Sequence, residues 1–363
     1  MEEMLNNNSK AKVEKLSNEL FSAVFNGQKN KVKYLIEQGA DINFYDKTTG
    51  CTSLIFSLIL KKLDIATYLI DEGANVNLEA AAAALKNKTA LMIAAEYGPL
   101  SIVSLLVDKG AHINVKNIEG RTALMFAALN HKNIVEYLIY KGAYINDQDS
   151  GGNTALIVAA YFAQKSIVEC LVENGADMYT QNHDGYTALM EASSNGYKDI
   201  VEYLINKGGI GDIDGIINNG CKKGMTMLMA AAGDGRISLV KLLIDNGAKV
   251  NARDEKGNTA LMEASYKGYE DIVEYLVENG ADLNLRNIKG DSAVIFAATG
   301  YHHQLPGKHE EIIDYLEKNG AEDDSVEPIM IYTGENFNDS FPYDPDANNK
   351  GFTGVAMEGN VLE

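Results

Sequence analysis

Short apolar stretches alternate with glycines along most of the chain, and the alternation keeps one length. In the stretch from Thr187, residues Leu189, Ala192 and Ser193 recur at i, i+3 and i+4, which makes one face of a short helix. Gly196 interrupts it. A second helix follows, with Ile200, Val201, Leu204 and Ile205 on its apolar side, and Gly208 stands where a left-handed residue closes it. Thr187 is placed to cap the first helix, its hydroxyl accepting from an orphan N–H one turn on. The closing glycine returns at Gly39, Gly73, Gly110, Gly142, Gly175, Gly208, Gly247, Gly280 and Gly320, at intervals of 34, 37, 32, 33, 33, 39, 33 and 40. The basic period is therefore 33 residues, lengthened by insertions. The stretch 184–208, "DGYTALMEASSNGYKDIVEYLINKG", is rewritten at 256–280 with all but eight of its 25 positions kept.

Neither helix is long enough to persist alone in water. Each must cover its apolar stripe with a neighbour, so the pattern predicts a one-dimensional stack. Stretches such as "GRTALMFAA…NIVEYLIYKGAYIN" and "GNTALMEAS…DIVEYLVENGADLN" resemble the ankyrin repeat. That resemblance implies an all-α solenoid of about nine helix-turn-helix units joined by β-hairpin-like loops, and a role in protein binding. It covers Leu16 to Glu322, with 1–15 a polar N-terminal segment and 323–363 an acidic, largely irregular tail. "NHDG" and "DEKG" supply turn residues between units. The family's Thr-Pro-Leu-His is written here as "TALM" in several units. Met92, Met125, Met190, Met229 and Met262 stand where its histidine joins hydrogen bonds between turns, so adaptable thioether packing is expected instead. The first unit, "LSNELFSAVFNGQKNKVKYLIEQGADIN", lacks the "TAL" opening and reads as a capping repeat.

Three insertions lengthen the period. Ala80 to Ala84, in "NLEAAAAALKNK", predict an extra helical turn. "GIGDIDGIINNGCKKG" stretches another inter-repeat connection, and "GYHHQLPGKHEE" separates the helices of the last unit. In the tail, "PIMIYTGENF" is apolar enough to cap the last repeat, although a free acidic tail fits its composition better.

Charge narrows the partners. The 363 residues carry 32 basic and 51 acidic side chains, a net of −19, which repels nucleic acid and anionic membranes. Cys51, Cys170 and Cys221 are too few and too scattered for a disulfide framework and fit a reducing, cytoplasmic setting. The start of the chain lacks a signal peptide's apolar core, and no apolar run reaches the length of a membrane span. Export by another signal stays open, because ankyrin arrays serve as exported effectors in some bacteria and parasites and the Asn/Lys/Ile/Tyr-rich composition fits an AT-rich genome.

The sequence contains no catalytic motif, so the expectation is a protein that is not an enzyme and uses no cofactor. "GGIGDIDG" has neither the spacing nor the lysine of a phosphate loop. His302, His303 and His309, beside Glu310, are candidate zinc ligands, set against a solvated loop. "DPDANNKG" opens like a calcium loop but has Asn349 and Val355 where such a loop needs Gly and Glu.

What remains is surface. A second side of each first helix lines the groove of ankyrin proteins. Its residues are Phe56, Ile59, Leu60; Ile93, Glu96, Tyr97; Phe126, Leu129, Asn130; and Val158, Tyr161, Phe162 in units two to five. In later units they become Glu191, Ser194, Asn195; Ala230, Gly233, Asp234; and Glu263, Tyr266, Lys267. The early, apolar part predicts a partner site at Phe56, Ile59, Leu60, Tyr97, Leu129, Tyr161 and Phe162, rimmed by Lys116 and Arg121. The competing reading buries Phe56, Ile93, Phe126 and Val158 between helices. The predicted protein is a monomeric scaffold for an unidentified protein. The alternatives are an exported effector, a metal-dependent site at the histidines, and autoinhibition by "IMIYTGENFNDSFPY".

Overall fold

The computed structural model describes residues 2–209, 213–214, 224–300 and 306–322. The helices come in pairs, divided between two compact units, Met1–Thr180 and Gln181–Glu363. Unit 1 contains α1 (Glu2–Phe25) with α2 (Lys29–Glu37), α3 (Ser53–Ile59) with α4 (Leu63–Asp71), and α5 (Ala90–Tyr97) with α6 (Leu100–Asp108). It is completed by α7 (Ala123–Ala127) with α8 (Lys132–Tyr140) and α9 (Ala155–Tyr161) with α10 (Lys165–Glu173). Unit 2 contains α11 (Ala188–Ser194) with α12 (Lys198–Asn206) and α13 (Met227–Gly233) with α14 (Ile237–Asp245). Then come α15 (Ala260–Lys267) with α16 (Glu270–Glu278) and α17 (Ala293–Gly300) with α18 (Pro306–Lys318). Isolated antiparallel bridges join Tyr45 with Thr52 and Glu79 with Thr89.

Local chemistry explains each pair. Thr52, Thr89, Thr122, Thr154, Thr187, Thr226 and Thr259 all have extended backbones, and each hydroxyl accepts the N–H three residues on, at 3.2–3.4 Å. Each cap of this kind is worth about 1 kcal/mol. The nine period-marking glycines all take φ between 86° and 99°, the left-handed conformation expected of them. Between the two helices of six of the pairs the chain again turns left-handed. Gly27, Gly196, Gly235 and Gly268 serve there, but Lys61 (φ 54°) and Ala163 (φ 58°) do so without glycine's freedom.

Within unit 1, and from α13 onward in unit 2, first helices pack on first helices of the next pair and on their own second helix, whereas α11 packs on α12 and α14. The five methionines at the family's histidine position are all buried, at 1–2% exposure. Two of them do more than fill space. The N–H of Thr89 donates to Met92 Sδ and that of Thr226 to Met229 Sδ, each at 3.5 Å. Sulfur is a weak acceptor, so part of the bonding expected to vanish with histidine survives in attenuated form.

An asparagine four residues after the closing glycine links one repeat to the next. The amides of Asn77, Asn114 and Asn146 donate to the carbonyls of Gly110, Gly142 and Gly175 at 3.0–3.4 Å. Their oxygens accept the N–H of His112, Tyr144 and Asp177 at 2.8–2.9 Å. Asn251 and Asn284 repeat the pattern in unit 2. Tyr179 occupies the corresponding position at the end of unit 1.

One sequence expectation changes. The alanines 80–84 do not form one helical turn. Ala80 and Ala81 donate to Lys88 O at 2.9 Å and Gly50 O at 2.8 Å, Ala82 is extended, and only Ala83–Leu85 turn, as a short 3-10 segment. A lone turn has too few internal bonds to nucleate, and hairpin bonding outcompetes alanine's helical preference. The polar residues 2–15 are continuous with the first repeat's helix, because α1 begins at Glu2. The tail, with its expected cap, calcium-like loop and autoinhibitory segment, lies outside the described residues, as do His302, His303 and Cys221.

Candidate functional site

The first-helix face of unit 1 has two depths. Phe56, Ile93, Phe126 and Val158 are at most 5% exposed and form its floor. Phe56 stacks on Phe21, ring centroids 4.4 Å apart, and on Phe25 at 6.1 Å. It anchors the second repeat to α1 rather than offering contact area. Above the floor, Ile59, Leu60, Leu129, Tyr161 and Phe162 are half-buried, and Tyr97 is 53% exposed. Tyr161 and Phe162 meet edge to face at 5.0 Å, which fixes both rings without burying them.

Beside Tyr97 lies an ion pair that the sequence did not single out. Lys88, from the hairpin, reaches Glu96 on α5, and the two side chains are only 15% and 7% exposed. The Lys88 ammonium also stands 4.4 Å over the Phe126 ring and 5.9 Å from the Tyr97 ring. The cation is held between a carboxylate and two aromatic faces. Burial, and then the adjacent Glu96 carboxylate, push the Tyr97 hydroxyl well above the ordinary phenol range. Tyr97 therefore presents a neutral O–H at any physiological pH.

The rim cations are engaged within the chain. Lys116 lies 3.4 Å from Asp147 Oδ1 and donates to Gln148 O at 3.1 Å. Arg121 contacts Asp149 at 3.5 Å and Glu119 at 3.7 Å. Both span neighbouring hairpins, so they stiffen the rim as well as charge it.

The equivalent face of unit 2 is acidic. Glu191, Asp234 and Glu263 are half-buried. The Tyr186 hydroxyl donates to Asp234 Oδ2, yet burial still raises the Asp234 carboxyl to about 6. Burial, reinforced by the charges of Asp254 and Asp234, raises Glu263 to about 7. The sequence signal for this niche was visible. Glutamates replace apolar residues directly after Met190 and Met262.

Of the candidate metal ligands, only His309 is described. Its ring is 1% exposed, and Nε2 lies 3.1 Å from the Tyr266 carbonyl. His131 makes the same contact with Glu96 O at 2.9 Å, and Arg236 reaches Ser194 O at 3.5 Å. His309 thus joins the last repeat to the one before it. Among the described residues no group of three or more metal-ligating side chains converges, and no helix is long and apolar enough to cross a membrane.

Residues 2–80, 79–149, 145–214, 212–287 and 254–327 each match the family model described as ankyrin repeats in three copies. Among solved structures, the ankyrin repeat domain of human ASB11 is 26% identical, with a TM-score of 0.50 over 63% of this chain and 96% of that one. The ankyrin repeat domain of Bcl-3, a member of the IkappaB protein family, is 29% identical, with a TM-score of 0.50 over 62% of this chain and 97% of that one. No curated protein sequence matches the chain.

Proposed function

Because the chain belongs to the ankyrin-repeat family, whose arrays are generally protein-interaction modules, we propose that it is a non-enzymatic scaffold that holds a protein partner on the first-helix face of unit 1. The observation that carries this reading is the run of apolar side chains left half-buried above a complete floor. Tyr161, Phe162, Leu129, Ile59 and Leu60 keep accessible area although Phe56, Ile93, Phe126 and Val158 already close the core beneath them. Fixed aromatic rings lose little freedom on binding, which makes Tyr97, Tyr161 and Phe162 the anchors. The partner segment is apolar, a helix or an extended strand. Lys116 and Arg121 form a rim already neutralised by Asp147 and Asp149, so they set orientation more than affinity. The scaffold acts as a monomer in the cytoplasm, with the array ending at Glu322.

The test is affinity purification from the native organism followed by mass spectrometry, with Tyr161→Ala/Phe162→Ala as control. The variant is expected to keep its helical circular dichroism and lose the wild-type partners. A folded variant that recovers all of them removes the reading.

A further inference from the structure

The acids of unit 2 are arranged unlike those elsewhere on the protein. Most acidic side chains lie on solvated second helices or pair with a lysine or arginine, as Glu96, Asp147 and Asp149 do. Glu263 does neither. The residue is half-buried, and burial is the largest influence on its carboxyl. Among the described residues that carboxyl makes no hydrogen bond and no ion pair. Its Oε2 lies 3.6 Å from where a Cβ on Gly233 would stand, so it points across to α13 beside Asp234. The charged groups facing the two acids are Asp184, Asp254, Arg236, Lys256 and Lys267. Two of those cations have other contacts. Arg236 reaches Ser194 O, and Lys267 lies 5.6 Å over the ring of its neighbour Tyr266.

A carboxylate shielded from water and left without a donor is costly, and a cation brought by a partner removes that cost. We propose that the first-helix face of unit 2 receives an arginine side chain of a protein partner, seated against the carboxylates of Asp234 and Glu263. Arginine fits better than a metal ion, because two carboxylates are present and no third ligand converges among the described residues. It fits better than lysine because a planar guanidinium serves two carboxylates at once. The site is a second contact on the scaffold. It stands or falls independently of the apolar face of unit 1.

The experiment uses the full chain and a fluorescein-labelled peptide of Ser-Arg-Ala triplets, followed by anisotropy at pH about 8.5, where both acids are charged and the peptide cations remain so. The Asp234→Asn/Glu263→Gln variant is expected to weaken binding by about tenfold or more. Glu202→Gln/Glu274→Gln, the same change of net charge on exposed positions of α12 and α16, is expected to weaken it by less than about twofold. Glu263→Gln alone keeps the Tyr186–Asp234 bond and is expected to retain most of the loss. Replacing arginine by lysine in the peptide is expected to weaken binding by about threefold or more. Equal loss in both double variants means diffuse attraction to an acidic protein and overturns the proposal. So does wild-type protein that fails to bind the peptide, or equal affinity for the lysine peptide.

Discussion

The first helices of the two units are built on the same local plan, with threonine caps, buried methionines and left-handed closing glycines, yet their faces have opposite chemistry. In unit 1 the position after the methionine, or its equivalent, holds Phe56, Ile93, Phe126 or Val158, and it disappears into the floor. In unit 2 the same position holds Glu191, Ala230, Glu263 or, in the last repeat, Phe296, and the two glutamates stay half-buried. One position per repeat therefore decides whether the face is sealed by apolar packing or left with strained charge. Stacking constrains its neighbours, Leu189 and Ala192 and their counterparts, far more tightly.

The largest test of this contrast separates floor from surface within unit 1. Phe56→Ala removes a ring stacked on Phe21 and should destabilise unit 1 by about 3–5 kcal/mol in denaturant unfolding. Tyr97→Ala, at an exposed site, should cost roughly 1 kcal/mol or less. Similar losses at both sites would mean that the face has no separate floor.

The second test uses pH. Glu263 in the folded chain titrates near 7, above its ordinary value of 4.5. A carboxyl with a raised folded pKa binds its proton more tightly when folded, so unfolding releases protons between the two values and stability falls as pH rises through them. The penalty is absent below about 4.5, grows up to about 7, and reaches on the order of 3 kcal/mol above that. Asp234, raised from 3.8 to about 6, adds a slope of the same sign. Glu263→Gln should flatten most of this dependence in unit 2. An unchanged slope would place the strain elsewhere.

The smallest test concerns the small residues that let first helices approach. Unit 1 has alanine at positions 95, 128 and 160, all buried. Unit 2 has Ser193 and Ser265, buried with hydroxyls that have no partner among the described residues. Ser265→Ala should raise the stability of unit 2 by about 1 kcal/mol, read as a shift in its unfolding midpoint. A loss of stability would show that the hydroxyl is satisfied in solution.

The architecture was legible because stacking repeats its demands. The threonine caps, the glycine period and the buried methionines each follow from one residue in a fixed place. The candidate face was legible only in part. Sequence spacing put Phe56 and Ile59 on one side of a helix, but depth depends on what lies across the gap, and Phe21 and Phe25 belong to another repeat. The Lys88–Glu96 pair was hidden for the same reason, since it joins a hairpin to the helix that follows. The alanines 80–84 misled because intrinsic preference is weak beside a hydrogen bond to Gly50 in the preceding hairpin.

The asparagine link has a consequence for how such a chain can change over time. Its donor and acceptor atoms lie in one repeat, and their partners lie in the next. A genetic exchange that joins two repeats at equivalent points restores both halves of the link, whichever copies are joined. An exchange out of step leaves an asparagine facing the wrong backbone. Whole repeats can therefore be gained or lost with little penalty, while fractions of a repeat cannot.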